Sequence, residues 1–262
     1  MSYKKFYEKQ SSAFQMYVRN TNQKDILVKK IVEKLESSFK FKKNQEFIFT
    51  DIGAGDGTVT IPIVNYLKGR TKLICNVIEP SDMIESIKVE SDFENNYYMK
   101  KKIDEVIIPK SDFILISHVL VYLDGHMKTV KRICSSLKEG GIALIVETNQ
   151  KSGDILLKIK LGKDYALRKH LNLMNNLLNF LNVNKVEHKL EIIESEINVS
   201  SCSTLNKDGK AIISFFYHTP FGELSKKDIK GIQIAIKELS GKNHRLVKKE
   251  DYLWIHKRPV ST

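Results

Sequence analysis

The residues of this chain best suited to chemistry are gathered in one run, Asp51-Ile-Gly-Ala-Gly-Asp-Gly. Gly53 and Gly55 permit a sharp turn and let a ligand reach main chain with no Cβ in the way. The spacing is Gly-x-Gly-x-Gly, whereas pyrophosphate-binding loops read Gly-x-Gly-x-x-Gly. Asp51 and Asp56 flank the glycines; their charge repels a pyrophosphate and attracts a ligand carrying cationic groups. Glu79 follows 24 residues after Gly55, at the end of a second apolar run. A carboxylate at such a strand end can accept both hydroxyls of a ribose. The other role open to it, a helix N-terminal carboxylate, fits Asp82 better. His118 closes a later apolar run, where ligands collect in open parallel sheets. Its neighbours Ser117 and Val119 are too short or too apolar to handle a proton, and a histidine titrates near neutral pH. His118 can therefore orient an acceptor or take its proton; the alternative is a histidine hydrogen-bonded to backbone at a strand end.

These residues need elements to hold them. The strand Phe47-Ile-Phe-Thr-Asp-Ile runs into the glycine turn, and a helix over 57–67 follows. Leu73-Ile-Cys-Asn-Val-Ile-Glu-Pro is a second buried strand, with Ser81 capping the next helix. Strands at 112–118 and 140–148 bracket a helix near 126–137. Apolar spacing predicts helices over 6–18 and 25–35, and leucine-rich helix over about 154–181. Strand-like segments lie near 186–199 and 246–257. Residues 211–218 are ambiguous: β-branched and aromatic side chains favour strand, while a short buried helix stays open. Strands rich in Ile, Leu and Val that alternate with helices indicate a parallel sheet covered on both faces. No repeat or Pro/Gly-rich linker divides the chain, so we expect an N-terminal helical lid over 1–36 and one domain over 37–262, with a helical insert at about 151–183.

Composition narrows the setting. No apolar run approaches the roughly 20 residues that cross a bilayer, and the N-terminus has no apolar core of the secretion-signal type. Cys75, Cys134 and Cys202 have no metal-ligand spacing and are odd in number, so a cytoplasmic protein without a metal or membrane partner is expected. The formal charge is +12, yet only six of the 43 basic residues are arginine. Scattered lysines suit a solvated exterior, while nucleic-acid sites recruit arginine for bidentate contacts. No specific nucleic-acid partner is expected.

Asp51-Ile-Gly-Ala-Gly-Asp-Gly, Glu79-Pro-Ser and Asp112-Phe-Ile-Leu-Ile-Ser-His-Val-Leu-Val-Tyr resemble the first, second and fourth motifs of class I S-adenosylmethionine-dependent methyltransferases, and Gly140-Gly-Ile-Ala-Leu-Ile-Val-Glu resembles the strand after them. The likeness covers about residues 46–148. It implies an α/β, Rossmann-like fold with a seven-stranded, mainly parallel sheet whose final strand is antiparallel. Within the class the chain is most similar to the histamine N-methyltransferase family, through Phe14-Gln-Met-Tyr-Val, Val77-Ile-Glu-Pro-Ser and the final strand. That likeness makes 211–218 a helix, against its propensity. It departs where the family has an amine-receiving glutamate (Gln23 here), a glutamine after the fourth strand (His118 here) and an asparagine pair (Lys248-Lys249 here).

The resemblance implies that Gly53 and Gly55 line the methionine end of the cofactor, with Asp51 and Ala54 in the same set. Glu79 takes the ribose, with Pro80 beside it. Ser81 and Met83 lie near the adenosine, and Ile103 and Asp104 wall the adenine. Ser117 and His118 stand at the lip between cofactor and acceptor. Acceptor contacts are expected from Tyr7, Phe14, Tyr17, Gln23 and Tyr122. The implied activity is methyl transfer from S-adenosylmethionine, leaving S-adenosylhomocysteine, to nitrogen or oxygen of a small amine- or ring-containing metabolite, by a monomer or homodimer. The alternatives are an RNA or protein methyltransferase and a non-catalytic S-adenosylmethionine-binding protein. No Asn-Pro-Pro-Tyr-type motif follows the fourth strand, which weighs against the base- and glutamine-methylating branches.

Overall fold

A computed structural model describes residues 11–90, 96–123, 125–160, 165–217 and 219–258. In chain order the elements are α1 (Ser11–Arg19), α2 (Gln23–Ser38), β1 (Glu46–Ile52), α3 (Thr60–Leu67), β2 (Lys72–Ile78), α4 (Ile84–Glu90), β3 (Asn96–Met99), β4 (Ser111–Ser117), α5 (His126–Ser136) and β5 (Leu137–Thr148). They continue with α6 (Gly153–Lys160), α7 (Tyr165–Val183), β6 (Glu187–Asn198), α8 (Ser201–Thr204), α9 (Lys207–Tyr217), α10 (Lys226–Ser240) and β7 (Arg245–His256). Short 3-10 turns at Ile103–Glu105 and Leu120–Tyr122 follow β3 and β4.

The seven strands form one sheet in the order β3-β2-β1-β4-β5-β7-β6. β1 pairs parallel with β2 and β4, β2 with β3, and β4 with β5. β7 runs the other way. At the start of β5, Lys257 N–H donates to Gly141 O at 3.0 Å and Gly140 N–H to Lys257 O at 2.9 Å, while past its end Asn149 N–H donates to Lys249 O at 2.9 Å. Rising numbers on one strand meet falling numbers on the other, which is the antiparallel pattern. The expected fold is therefore present. Strand order switches at β1, where β2 departs to one side and β4 to the other, and such switch points open crevices at the carboxyl ends.

The chain divides into two compact units, one of residues 1–26, 148–171 and 192–250, the other of 27–147, 172–191 and 251–262. These units interleave along the sequence, whereas the sequence-based division cuts once at residue 36. In the larger unit Ile52, Ile78, Ile114, Ile116, Leu144 and Ile145 are all buried, as sheet positions covered on both faces require. Leu173, Leu177 and Leu181, at helical spacing on α7, join the same core. In the smaller unit Ala13, Tyr17, Ile197, Ile212, Phe216, Ile232 and Leu246 share a second core.

Residues 211–217 are helical, as α9, despite their strand propensity. Ile212, Ile213, Phe215 and Phe216 are buried together, a spacing that a helix can turn to one side and a strand cannot. Propensity costs of a few tenths of a kcal/mol per residue lose to that burial. Gly209 is needed at its start, since a Cβ there would lie 2.0 Å from Ser201 O. Among the described residues no helix is long and apolar enough to cross a membrane, and no cluster of three metal-ligating side chains occurs.

Candidate functional site

The glycine loop follows β1 directly, and Gly53, Gly55 and Gly57 all have left-handed backbone, with φ of 73°, 60° and 82°. The reasons differ. A Cβ on Gly53 would stand 2.2 Å from Val119 Cγ2, so this glycine is required by protein packing. The sequence assigned that freedom to ligand approach. Around Gly55 a Cβ would meet nothing within 4 Å, so the open main chain is here. Gly53 N–H donates to Ile78 O at 2.7 Å, tying the loop to the end of β2. Asp51 is buried and its Oδ2 accepts from Thr60 Oγ1 at 2.6 Å, which anchors the first turn of α3. Asp56 accepts from Thr58 N–H and Oγ1, at 3.2 and 2.6 Å, and shapes the turn before that helix.

Glu79 meets the glycine loop as its spacing suggested. Its carboxylate accepts from Gly55 N–H at 3.0 Å and from Ser81 N–H at 2.9 Å, one oxygen to each, and the residue is only 6% exposed. Two backbone donors, one to each oxygen, hold this buried carboxylate in one orientation. Pro80 and Met83 are exposed beside it, and Ser81 Oγ accepts from Met83 N–H at 3.4 Å in the turn before α4, which itself begins at Ile84. Asp82 pairs with Lys100, whose ammonium holds its carboxyl below the usual range. Ile103 is buried in the turn after β3 and Asp104 is exposed in it. Arg132 braces that turn, donating to Ile103 O at 3.0 Å and to Val106 O, with Asp104 Oδ1 at 3.7 Å.

At the end of β4, Ser117 Oγ is buried with no hydrogen-bond partner among the described residues. His118 has φ 58°, a left-handed backbone that costs a non-glycine residue about 1 kcal/mol. Its N–H donates to Val146 O at 2.8 Å, so the β4–β5 ladder persists to the residue where the chain leaves the strand. Tyr122, 45% exposed, ends the turn that follows. Glu147, buried at the end of β5, accepts from Val121 N–H at 3.4 Å. Sequence reasoning gave it no role. The available signal was a lone acid closing the apolar run Ile142–Val146.

The other predicted residues belong to the smaller unit. Phe14 lies on α1, and Tyr7 falls outside the described residues. Tyr17 and Gln23 are both 4% exposed and share a polar network with Lys248, Glu250 and Asp154. Lys248 Nζ donates to Gln23 Oε1 at 2.8 Å, lies 3.8 Å from Glu250 and sits 5.0 Å from the centre of the Tyr17 ring. Gln23 Nε2 donates to Glu250. Tyr17 stacks on Phe215 with ring centres 4.0 Å apart. Burial disfavours the Lys248 ammonium, but Tyr17, Glu250 and Asp154 outweigh it and hold its pKa above the ordinary lysine value. Burial pushes the Tyr17 phenol up, only partly offset by Lys248. Sequence analysis marked Lys248 only as a departure from the family and gave Glu250 no role, although residues two apart in a strand share one face.

No family model matches the chain, and no curated protein matches it. Solved structures do. The plantazolicin methyltransferase BpumL in complex with SAH is 13% identical, with 97% of this chain and 90% of that one covered and a TM-score of 0.56. Its complex with a triazolic desmethylPZN analog and SAH gives 14%, 96%, 90% and 0.57. A candidate methyltransferase from an antibiotic biosynthesis pathway of Anabaena variabilis gives 13%, 86%, 96% and 0.54. The fold is that of the class I methyltransferases. In that fold the carboxyl edge of the parallel strands is where β1 and β2 deliver the glycine loop and Glu79, and where β4 and β5 deliver Ser117, His118 and Glu147.

Proposed function

We propose that this protein is an S-adenosylmethionine-dependent methyltransferase acting on a nitrogen or oxygen of a small-molecule acceptor. The observation that carries the reading is Glu79, a buried carboxylate held by the N–H groups of Gly55 and Ser81 beside open glycine main chain. The residues present fit the cofactor: a fixed carboxylate suits ribose hydroxyls, and acidic surroundings without the pyrophosphate spacing suit cationic groups. Bound S-adenosylmethionine supplies a methyl already activated on a sulfonium, with a neutral thioether as leaving group. The chain's task is then to hold nucleophile and methyl in line and to exclude water.

In this reading Gly53, Ala54 and Gly55 form the floor of the cofactor site, and the charge of Asp51 acts from beneath it. Pro80, Ser81 and Met83 border the adenosine, with Ile103 and Asp104 as the adenine wall braced by Arg132. Ser117 offers a hydroxyl in need of a partner, and His118 orients the acceptor or takes its proton. Tyr122 supplies an acceptor contact from the turn after β4; in the smaller unit Tyr17 and Gln23 are held in their network with Lys248. Histamine is not proposed, because the Gln23 amide is engaged by Lys248 and Glu250. BpumL is described in complex with a triazolic desmethylPZN analog, and by that likeness the acceptor class includes azole-bearing compounds. The protein works in the cytoplasm, as a monomer or homodimer.

Calorimetry tests the reading. S-adenosylmethionine and S-adenosylhomocysteine should bind in the micromolar range, with neither NAD nor ATP competing. Glu79→Ala removes charge-assisted hydrogen bonds worth roughly 1.5–3 kcal/mol each, so affinity should fall at least about tenfold. Unchanged affinity in that variant would remove Glu79 from the site. A methyl-labelled cofactor incubated with a metabolite extract, followed by mass spectrometry of the product, would identify the acceptor.

A further inference from the structure

The end of β5 holds a group that the proposed mechanism does not use. Ile142, Ala143, Leu144, Ile145 and Val146 are all buried, and Glu147 follows them with 3% exposure. A carboxylate is costly to bury unless hydrogen bonds hold it, and a valine would extend this strand without that cost. What a valine cannot do is accept the Val121 N–H, which donates to Glu147 Oε1 at 3.4 Å. Val121 is the middle residue of the turn Leu120–Tyr122. The same loop begins at His118, whose left-handed backbone turns it out of β4, and it places Val119 over Gly53 where no Cβ can stand. Gly53 in turn donates to Ile78 O, the residue before Glu79. One continuous chain of contacts thus crosses the carboxyl edge of the sheet, from Glu147 on β5 through the loop after β4 to the glycine loop after β1.

We infer that Glu147 is a positioning residue of the cofactor pocket, acting through Val121 and Val119 on the glycine loop. The inference rests on the cofactor reading above. Without the tether the loop can lift from Gly53, and the glycine loop loses the packing that fixes Gly55 against Glu79. Catalytic contact by Glu147 is not required.

The test compares wild type, Glu147→Ala, Glu147→Gln and Glu147→Met, using S-adenosylhomocysteine as the probe in calorimetry and amide hydrogen exchange read by mass spectrometry. Glutamine keeps an oxygen that accepts the same bond. Methionine keeps the buried bulk without an acceptor, and it carries the comparison should the alanine variant fail to fold. Affinity should drop about tenfold in Glu147→Ala and Glu147→Met, and stay within about threefold in Glu147→Gln. Exchange in peptides over 118–123 should quicken about tenfold or more in the first two and be restored in the third, while peptides from the interior of β1 keep their protection. A merely structural glutamate would not give this local, glutamine-rescued pattern. Wild-type affinity in Glu147→Met, or an equal loss in Glu147→Gln, overturns the inference. If wild type itself fails to bind the probe, the cofactor reading falls, and the exchange data still decide whether Glu147 tethers the loop.

Discussion

Replacing Gly53 by alanine separates two explanations of the glycine loop. The backbone there has φ 73°, and the new methyl would lie 2.2 Å from Val119 Cγ2 and 3.1 Å from Cγ1. The left-handed conformation costs alanine about 1–2 kcal/mol, and overpacking adds about 1–3 kcal/mol. Gly53→Ala should therefore lose about 2–5 kcal/mol in urea unfolding, equivalent to roughly 4–20 °C in Tm for a chain of this size. Val119→Ala alone removes two half-buried methyls and should cost about 1–2 kcal/mol. In the double variant the clash is absent, so its loss should fall short of the sum of the two single losses by about 1 kcal/mol or more. Gly55→Ala, with φ 60° and open space, should lose only the backbone share, about 1–2 kcal/mol. Strict additivity in the Gly53/Val119 cycle, or a Gly53→Ala protein as stable as wild type, would refute the packing explanation.

His118→Asn should leave stability equal or higher, because asparagine tolerates the left-handed backbone, and keep S-adenosylhomocysteine affinity within about threefold. Methyl transfer to the acceptor found in the labelled screen should nevertheless fall about 10²-fold if His118 is the base, with loss of the acid limb in the rate profile; full activity would remove it from the mechanism. The folded-state pKa values of Tyr17 and Lys248 lie above their unfolded values, so their stabilisation is complete below about pH 10 and is lost as pH rises through the folded values. Urea titrations from pH 8 to 11 should thus show a steeper alkaline loss in wild type than in Tyr17→Phe, and parallel curves would contradict the assignment. RNA binding should be weak at about 0.15 M salt, steeply salt-dependent and without sequence preference; tight selective retention would overturn the small-molecule reading.

Much of this molecule was legible from residue order. Apolar runs ending in Asp51-Ile-Gly, Glu79 and His118 marked three parallel strands, because strands covered on both faces are written as nearly unbroken Ile, Leu and Val. The distance from Gly55 to Glu79 foretold their meeting, since one strand–helix–strand passage returns the chain to the same edge of the sheet. What each residue touches depends on side chains brought in by the fold, and only the tertiary structure decided it. At that edge Gly53 packs under Val119 and Asp51 holds Thr60; in the smaller unit the Gln23 amide meets Lys248 and Glu250 from more than two hundred residues away. Residues 211–217 read as strand locally yet fold as helix, because a choice worth tenths of a kcal/mol per residue yields to the burial of Ile212, Ile213, Phe215 and Phe216 in a core built by α1, β6 and β7 residues.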